Sequence, residues 1–410
     1  MPAWNFVLQL VGPSGGRSIC DRFSLPGLAQ PCRVTILACD GNASPAAAAA
    51  HAAMKQELQA KCGTHASDCG GPGLWGCMAL DEASCRQILV PVIGQTLEAA
   101  AVDVIRQWPG RPDRLSTILP ALMGGLTHGQ AFAGSPPELS RLASIGWGSD
   151  PRRLAALAMQ QATQSTRPGV FLSYRRDDAG RIADQLFDGL AHRGYRVFVD
   201  RFCGSAGRYF PHELAEEMAD KAVIVVLESP RIMGSAWTLW EIRFARRYRL
   251  GLVSLRLAGA PRLSGIAARQ DIAPDSSGQL PANDLDRVLD FIGREHVAAN
   301  LRRRAFYEAL VSSAAASRGG SIHSAGSGLL ELRDRTGAAK ALLLPAGRPG
   351  QVTDVRSMDT SGTTTHSRLL IGQHRHLPPA SRDDLNWLSR MTHIDLAGRW
   401  DSYRRVQSLC

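Results

Sequence analysis

A glutamate, a tryptophan and three arginines in the middle of the chain are the residues whose types and spacing best suit chemistry. Glu241 follows Trp237 by four positions, so both lie on one face of a predicted helix. A carboxylate can stabilise a developing positive charge. Arg175, Arg176 and Arg208 carry the planar fork of donors that pairs with phosphate oxygens. Together these residues form a candidate site that needs a scaffold to bring them to one place.

Each of these residues also has a purely structural interpretation. Glu241 taken alone is consistent with a surface glutamate on an amphipathic helix, and Trp237 and Trp240 are consistent with core anchors. The arginine pair 175–176 is consistent with a solvated strand end, and Gly207 with a turn glycine. The order of the surrounding elements therefore has to decide between the two interpretations.

Repeated strand–helix units predict a doubly wound parallel sheet around this set. Strands are expected at Val170–Tyr174, Tyr195–Asp200, Ala222–Leu227, Gly251–Leu257 and Asp271–Ala273, with helices between them and at Asn283–Phe291. Asp177 or Asp178 is expected to cap the first helix, Gly194 to end it, and Ser235 to cap the helix that carries Glu241. In such a sheet ligands bind beyond the carboxyl ends of the strands, here Tyr174, Asp200 and Leu227.

Five motifs in this order resemble the TIR (Toll/interleukin-1 receptor) domain family. They are Phe171–Arg176, Val197–Asp200, Ala206-Gly207-Arg208, Ile224–Ser229 and the W-x-x-x-E of Trp237–Glu241. The resemblance covers about a third of the chain and implies a flavodoxin-like central sheet. The loop 200–210 departs from the common family pattern, because alanine precedes Gly207 where many relatives carry proline and Tyr209 is an additional aromatic residue.

The resemblance implies an NAD-cleaving enzyme of the bacterial type, an NAD+ glycohydrolase or ADP-ribosyl cyclase in defence or cell-suicide signalling. Glu241 occupies the catalytic glutamate's position. Tyr174, Arg175, Arg176, Asp200, Gly207, Arg208 and Trp237 are the expected NAD-binding residues. NAD+ would be a substrate, and no cofactor or metal is expected. Cleavage of an already cationic leaving group needs no general acid, so one carboxylate suffices where glycosidases use two.

The alternative is a TIR scaffold without turnover that gathers partners through TIR–TIR contacts. In either case the resemblance implies self-association. For the enzyme we expect the isolated chain to be nearly silent, with a ligand or partner of the flanking domains as the unknown trigger. Three domains are expected, at residues 1–166, 167–295 and 296–410.

The first and third of these domains have no recognised family. Residues 1–166 are predicted as a mostly parallel α/β layer, with strands at Asn5–Val11, Arg33–Ala38, Ile88–Ile93 and Thr117–Met123 and helices at Ala46–Leu58 and Thr96–Gln107. Seven of the nine cysteines lie in the first 85 residues, without the close pairs of a structural zinc site. We expect reduced structural thiols, and a zinc site at Cys62 and His65 is the alternative.

The last segment is predicted as a smaller α/β domain. A helix at Val297–Ala315 precedes a Gly/Ser stretch at Ser317–Gly328. Strands at Leu329–Arg333, Lys340–Leu344 and Arg368–Ile371, a helix at Ser381–Met391 and a strand at His393–Leu396 follow. His374 and His376 are expected in a solvated loop.

The chain carries 47 basic and 37 acidic residues, a formal net charge of +10. The arginines are mostly scattered, so nucleic-acid binding is unlikely, although Arg302–Arg304 form a short cluster. Neither a signal peptide nor a run of about 18 apolar residues is present, which predicts a cytoplasmic protein without a membrane span.

Overall fold

The computed structural model describes residues 4–13, 19–62, 64–67, 85–108, 116–136, 139, 144–147, 150–163, 168–199, 218, 221–247, 249–326, 328–346, 352–359, 367–372, 374 and 379–410. The chain divides into two compact units, Met1–Thr163 and Gln164–Cys410. Among the described residues, no helix combines the length and the apolar character that crossing a bilayer requires.

The first unit is built on an eight-stranded mixed sheet. Its strands are β1 (Phe6–Val11), β2 (Ile19–Ser24), β3 (Cys32–Ala38), β4 (Thr64–Ser67), β5 (Arg86–Ile93), β6 (Ser116–Ile118), β7 (Ala121–Leu122) and β8 (Ile145–Gly146). The order is β4-β2-β1-β3-β5-β7-β8, with β6 beside β5, and the pairs β1–β2 and β2–β4 are antiparallel. The helices described beside this sheet are α1 (Ser44–Gln59), α2 (Ala99–Gln107), α3 (His128–Ala131) and α4 (Pro151–Thr163).

The strands of this unit differ from the prediction. The strand expected at Thr117–Met123 is two short strands, β6 and β7, on either side of Pro120. Proline lacks the amide hydrogen that a central strand donates, so the strand is interrupted there. Strand β2 was not predicted, because its buried Asp21 breaks the apolar pattern.

The second unit begins with the expected doubly wound sheet. Its five strands are β9 (Gly169–Ser173), β10 (Arg196–Val199), β11 (Val223–Glu228), β12 (Gly251–Leu257) and β13 (Ala268–Ile272). They are all parallel in the order β10-β9-β11-β12-β13, the flavodoxin-like arrangement. Every residue of β9 and β11 is buried, because helices cover both faces of the sheet. The strand order reverses between β9 and β11, so the ligand crevice of such a fold lies at the carboxyl ends of these two strands.

Among the described residues, this part also contains the helices α5 (Arg176–His192), α6 (Ala236–Arg247) and α7 (Ala282–Ala316). A short 3-10 turn, Ile232–Gly234, precedes α6. Gly194 ends α5 with φ of +80°, as expected for a C′ glycine. Tyr195 N donates to Leu190 O at 3.0 Å, as in the hydrogen-bonded motif that such a glycine closes. A Cβ at Gly189 would lie 2.8 Å from Leu289 Cδ1, so this glycine permits α5 and α7 to approach closely.

Helix α7 differs from its prediction. The two expected helices, Asn283–Phe291 and Val297–Ala315, are one continuous helix of 35 residues. Its first half, with Val288, Leu289 and Ile292, packs into the core of the parallel sheet, and Tyr307 and Val311 in its second half pack under the next sheet. The helix passes residue 295 without a break, so both sheets of this unit share one element.

The last sheet has the order β14-β15-β16-β17-β18. Its strands are β14 (Ser321–Gly326), β15 (Leu329–Arg333), β16 (Ala339–Pro345), β17 (Ser367–Ile371) and β18 (Ile394–Ala397), accompanied by α8 (Val352–Asp359), α9 (Pro379–Thr392) and α10 (Arg399–Leu409). Strands β16, β17 and β18 are parallel. Six residues of the Gly/Ser stretch 317–328 form β14, which was not predicted, by antiparallel pairing with β15. Pairing with a neighbouring strand outweighs the low strand propensity of glycine.

Candidate functional site

The strand β9 and the helix α6 bring a serine and a glutamate together at the carboxyl edge of the sheet. Ser173 is the last residue of β9, and its hydroxyl donates a hydrogen bond to Glu241 Oε2. Ser173 is 3 % exposed and Glu241 is 6 % exposed. A carboxylate so removed from water requires donors, because an unpaired buried charge is costly. The sequence places Ser173 inside a recognised motif but does not reveal this bond.

The orientation of α6 follows from its cap and its apolar face. The Ser235 hydroxyl accepts a hydrogen bond from Thr238 N at 3.3 Å, which confirms the predicted cap. Ile242, Phe244 and Ala245 are buried in the core beside Phe171 and Ile224 of the sheet. With these anchors fixed, Glu241 faces the end of β9. Trp240 packs partly buried against the same core, in line with its interpretation as an anchor.

A second set of polar residues lies beside Ser173. Asp178 Oδ2 accepts a hydrogen bond from Ser229 Oγ at 2.9 Å, and Asp178 Oδ1 accepts one from Arg231. Arg175 donates to Arg231 O at 3.0 Å. Burial raises the pKa of Asp178, but the hydrogen bonds from Arg231 and Ser229 outweigh it, so the pKa lies below the ordinary value of a carboxyl group. These contacts fasten the segment after β11 to the start of α5.

The predicted cap of α5 is therefore wrong. The N-cap position is Arg175, which makes no side-chain cap hydrogen bond, and Asp177 and Asp178 lie inside the first turn. Asp178 is drawn away from the backbone by Ser229 and Arg231, which are distant in sequence. Acidic residues in the first turn still stabilise the helix dipole.

The other predicted site residues are described only in part. Tyr174 is partly buried against the core at the end of β9. Arg176 and Trp237 occupy the first residues of α5 and the first turn of α6, and their side chains lie outside the described parts of the structure. Asp200, Gly207 and Arg208 also lie outside the described residues. The roles expected for these six residues and for Arg175 in binding NAD therefore stay predictions.

A buried ion pair at the end of β11 was not predicted from the sequence. Glu228 is fully buried, and Arg269 of β13 holds its carboxylate with two hydrogen bonds of 2.9 and 3.2 Å. Leu263 N donates to Glu228 Oε1 at 3.2 Å. Because its carboxylate accepts three hydrogen bonds, Glu228 is a structural residue that stabilises the sheet edge next to the candidate site.

This arrangement places the carboxylate of Glu241 at the crevice where the strand order reverses. Arg175 and Arg231 lie at the same edge, where Asp178 pairs with both of them. Within the described ranges, no group of three or more histidine, cysteine, aspartate or glutamate side chains lies close enough to hold a metal ion.

The fold order, the capped helix α6 and the position of Glu241 define a doubly wound α/β module of the TIR type. The family model described as TIR domain matches residues 170–285, and this part of the chain is a TIR domain. No curated protein matches the chain.

A solved structure that matches is described as the activated Roq1 resistosome directly recognizing the pathogen effector XopQ (TIR domains). The sequence identity is 25 %, and the match covers 22 % of this chain and 58 % of the Roq1 chain, with a TM-score of 0.21. The chain thus spans little more than half the length of that relative.

Proposed function

We propose that the TIR domain cleaves the bond between nicotinamide and ribose in NAD+, with Glu241 as the catalytic residue. The observation that carries the proposal is the position of Glu241: a glutamate on the helix after the third strand, facing the carboxyl end of the first strand. In the reaction the C1′–N1 bond breaks and its electron pair returns to the pyridinium ring. Water then adds to C1′ and releases a proton, giving ADP-ribose, or a hydroxyl of the same molecule adds and gives a cyclic isomer.

The chemistry of this reaction suits a single carboxylate. Nicotinamide leaves as a neutral molecule, so no acid needs to protonate it, and the main demand is stabilisation of the positive charge that develops on the ribose. The carboxylate of Glu241 supplies negative charge, and the hydrogen bond from Ser173 fixes its direction. A preoriented charge of this kind needs no reorganisation during the reaction.

The burial of Glu241 supports a low resting activity. At 6 % exposure its carboxylate is covered, and substrate reaches it only when the residues over it move. Self-association through TIR domains, or a ligand on another part of the chain, would supply that movement. We place such an enzyme in defence or cell-suicide signalling, where an NAD-consuming activity has to be restrained until it is triggered.

A scaffold without turnover is the second candidate, and the same hydrogen bond is the observation that favours it. A glutamate that is already paired with Ser173 and buried can serve the fold alone. The two candidates differ in one measurable respect, because only the enzyme releases nicotinamide.

The test uses the full chain, since α7 joins the two sheets of its unit. Nicotinamide release from NAD+ is followed over rising protein concentrations, with and without a crowding agent. If the chain is an enzyme, the rate of nicotinamide release per protein molecule should rise with protein concentration and should be lost in Glu241→Ala. If no nicotinamide is released at any concentration, the scaffold without turnover is the function that remains.

A further inference from the structure

A cavity of the Gln164–Cys410 unit lies beside the last sheet. It has a volume of about 620 Å³ and opens at the carboxyl ends of β17 and β18, where Gly372, Leu396 and Gly398 line it. A volume of this size is in the range of small-molecule sites. We propose that this cavity binds a small phosphorylated ligand that carries an aromatic base, of the nucleotide class. The proposal does not depend on NAD cleavage.

The cavity carries a strong excess of positive charge. Among the described residues, five arginines and one carboxylate, Asp401, line it; the arginines are Arg247, Arg249, Arg303, Arg382 and Arg399. They come from four different elements or their ends, so their convergence is a feature of the tertiary fold. Guanidinium groups bind phosphate oxygens through paired hydrogen bonds, and several of them in one cavity select for a polyanion such as a diphosphate.

A helix end adds to this charge. Helix α10 begins at Arg399, and Gly398 at its N-cap provides no side-chain cap. Gly398, Arg399, Trp400 and Asp401 all line the cavity, so the first turn of α10 forms part of its wall. Helix N-termini attract anions through their free amide groups and the helix dipole.

Aromatic rings distinguish this cavity from a simple anion site. The guanidinium groups of Arg249 and Arg399 lie 4.2 and 4.7 Å from the centre of the Phe306 ring. Arg399 also lies 4.8 Å from the ring of Trp400, whose side chain is 68 % exposed. An exposed tryptophan next to a guanidinium plane offers a stacking surface for a base.

The backbone of Arg249 is a further sign of a binding role. Its φ is +55°, a left-handed conformation that glycine adopts freely and other residues rarely adopt. Arg249 follows the end of α6, and Leu250 N donates to Ala245 O at 2.9 Å across the turn. Glycine would suit this helix end better, yet the chain places an arginine there and directs it over Phe306.

The position of Arg247 and Arg249 links the cavity to the TIR domain. Arg247 is the last residue of α6 and lies six positions after Glu241, about 9 Å along the helix axis. A ligand held by these arginines would contact the end of the helix that carries Glu241. The cavity is therefore placed to report its occupancy to the candidate site.

The experiment measures binding of a fluorescent ADP, labelled at the ribose with N-methylanthraniloyl, to the full chain by anisotropy. We expect micromolar binding at low salt. Arg249→Gly relieves the backbone strain and Arg382→Glu changes an exposed side chain, so both variants should fold, and each should weaken binding at least tenfold. Arg335→Glu is the control, because Arg335 is exposed on the turn before β16 and does not line the cavity. It should bind within twofold of the unchanged protein.

Competition identifies the chemical class. Unlabelled ADP should displace the probe, while adenosine and inorganic phosphate should each do so at least tenfold less well. Binding should persist in Glu241→Gln, which separates this proposal from the fate of the NAD-cleavage proposal. No binding, equal binding by Arg382→Glu and Arg335→Glu, displacement by adenosine as good as by ADP, or tighter binding of a single-stranded oligonucleotide would each overturn the inference.

Discussion

The hydroxyl of Ser173 donates a hydrogen bond to Glu241, across 68 positions of sequence. This bond ties the end of the first strand of the TIR sheet to the helix after the third strand. It fixes the direction of the carboxylate that the proposed reaction needs.

Removal of the Ser173 hydroxyl is the first prediction. Ser173→Ala leaves the buried carboxylate without this donor, which should lower the free energy of unfolding by about 1–3 kcal/mol. NAD cleavage should fall about tenfold or more, mainly in kcat, because the carboxylate loses its fixed direction. Steady-state kinetics together with urea unfolding check this. Ser173→Thr keeps the hydroxyl and should retain more activity; equal kcat in Ser173→Ala and the unchanged protein would remove Ser173 from the account.

The contacts of Asp178 give the second prediction. Asp178→Asn weakens the bonds from Ser229 and Arg231 that hold the segment after β11. Misplacement of this segment at the crevice should reduce NAD cleavage about tenfold to a hundredfold. Asp177→Asn is the matched control, since Asp177 is 69 % exposed on the same helical turn. If the two variants had the same activity, the segment would have no positioning role.

How far the sequence predicts this site depends on the range of each interaction. The motif order and the position of Glu241 follow from local patterns, and the sheet and the Ser235 cap agree with them. The Ser173–Glu241 bond and the Glu228–Arg269 pair join distant positions, and one sequence does not show which residues meet. The predicted cap at Asp177 or Asp178 was wrong for the same reason. Asp178 accepts hydrogen bonds from Ser229 and Arg231, which are distant in sequence, and does not cap the helix. His374 was expected in solvent, yet it is 9 % exposed, bonds Leu370 O at 3.3 Å and lines the arginine-rich cavity.

The buried pair of Glu228 and Arg269 gives the third prediction. Arg269→Ala leaves a fully buried carboxylate without its partner, which should lower the free energy of unfolding by about 3–5 kcal/mol. The exposed pair of Arg256 and Asp271 has similar two-bond geometry, so Asp271→Ala is the control and should change stability little. Denaturant unfolding of Arg269→Ala and Asp271→Ala measures both changes. Similar losses in the free energy of unfolding would mean that burial does not determine how much an ion pair contributes to stability.

His296 makes stability depend on pH, which is the fourth prediction. Burial, followed by the charge of Arg303, lowers the pKa of His296 to about 4, below its ordinary value of about 6.5. The folded state thus resists a proton that the unfolded chain accepts. The stability that follows is complete above pH 6.5 and is lost as the pH falls towards 4. Between pH 7 and pH 5 the loss should be about 2 kcal/mol from this residue alone.

The measurement is urea unfolding of the unchanged protein and His296→Gln at both pH values. The variant should start less stable but should lack this share of the pH dependence. His323→Gln serves as control, because His323 is exposed on β14. An unchanged pH dependence in His296→Gln would show that other groups carry it.

The central claim is that Glu241 cleaves NAD+, and a comparison of two carboxylate-to-amide variants tests it most directly. Nicotinamide release by the full chain is measured for the unchanged protein, Glu241→Gln and Asp188→Asn, at one protein concentration high enough for self-association. Asp188 is exposed on α5, so its variant removes the same charge from the same domain. We predict that Glu241→Gln loses release at least a hundredfold while Asp188→Asn retains it. Equal release by all three, or none from the unchanged protein, would contradict the claim.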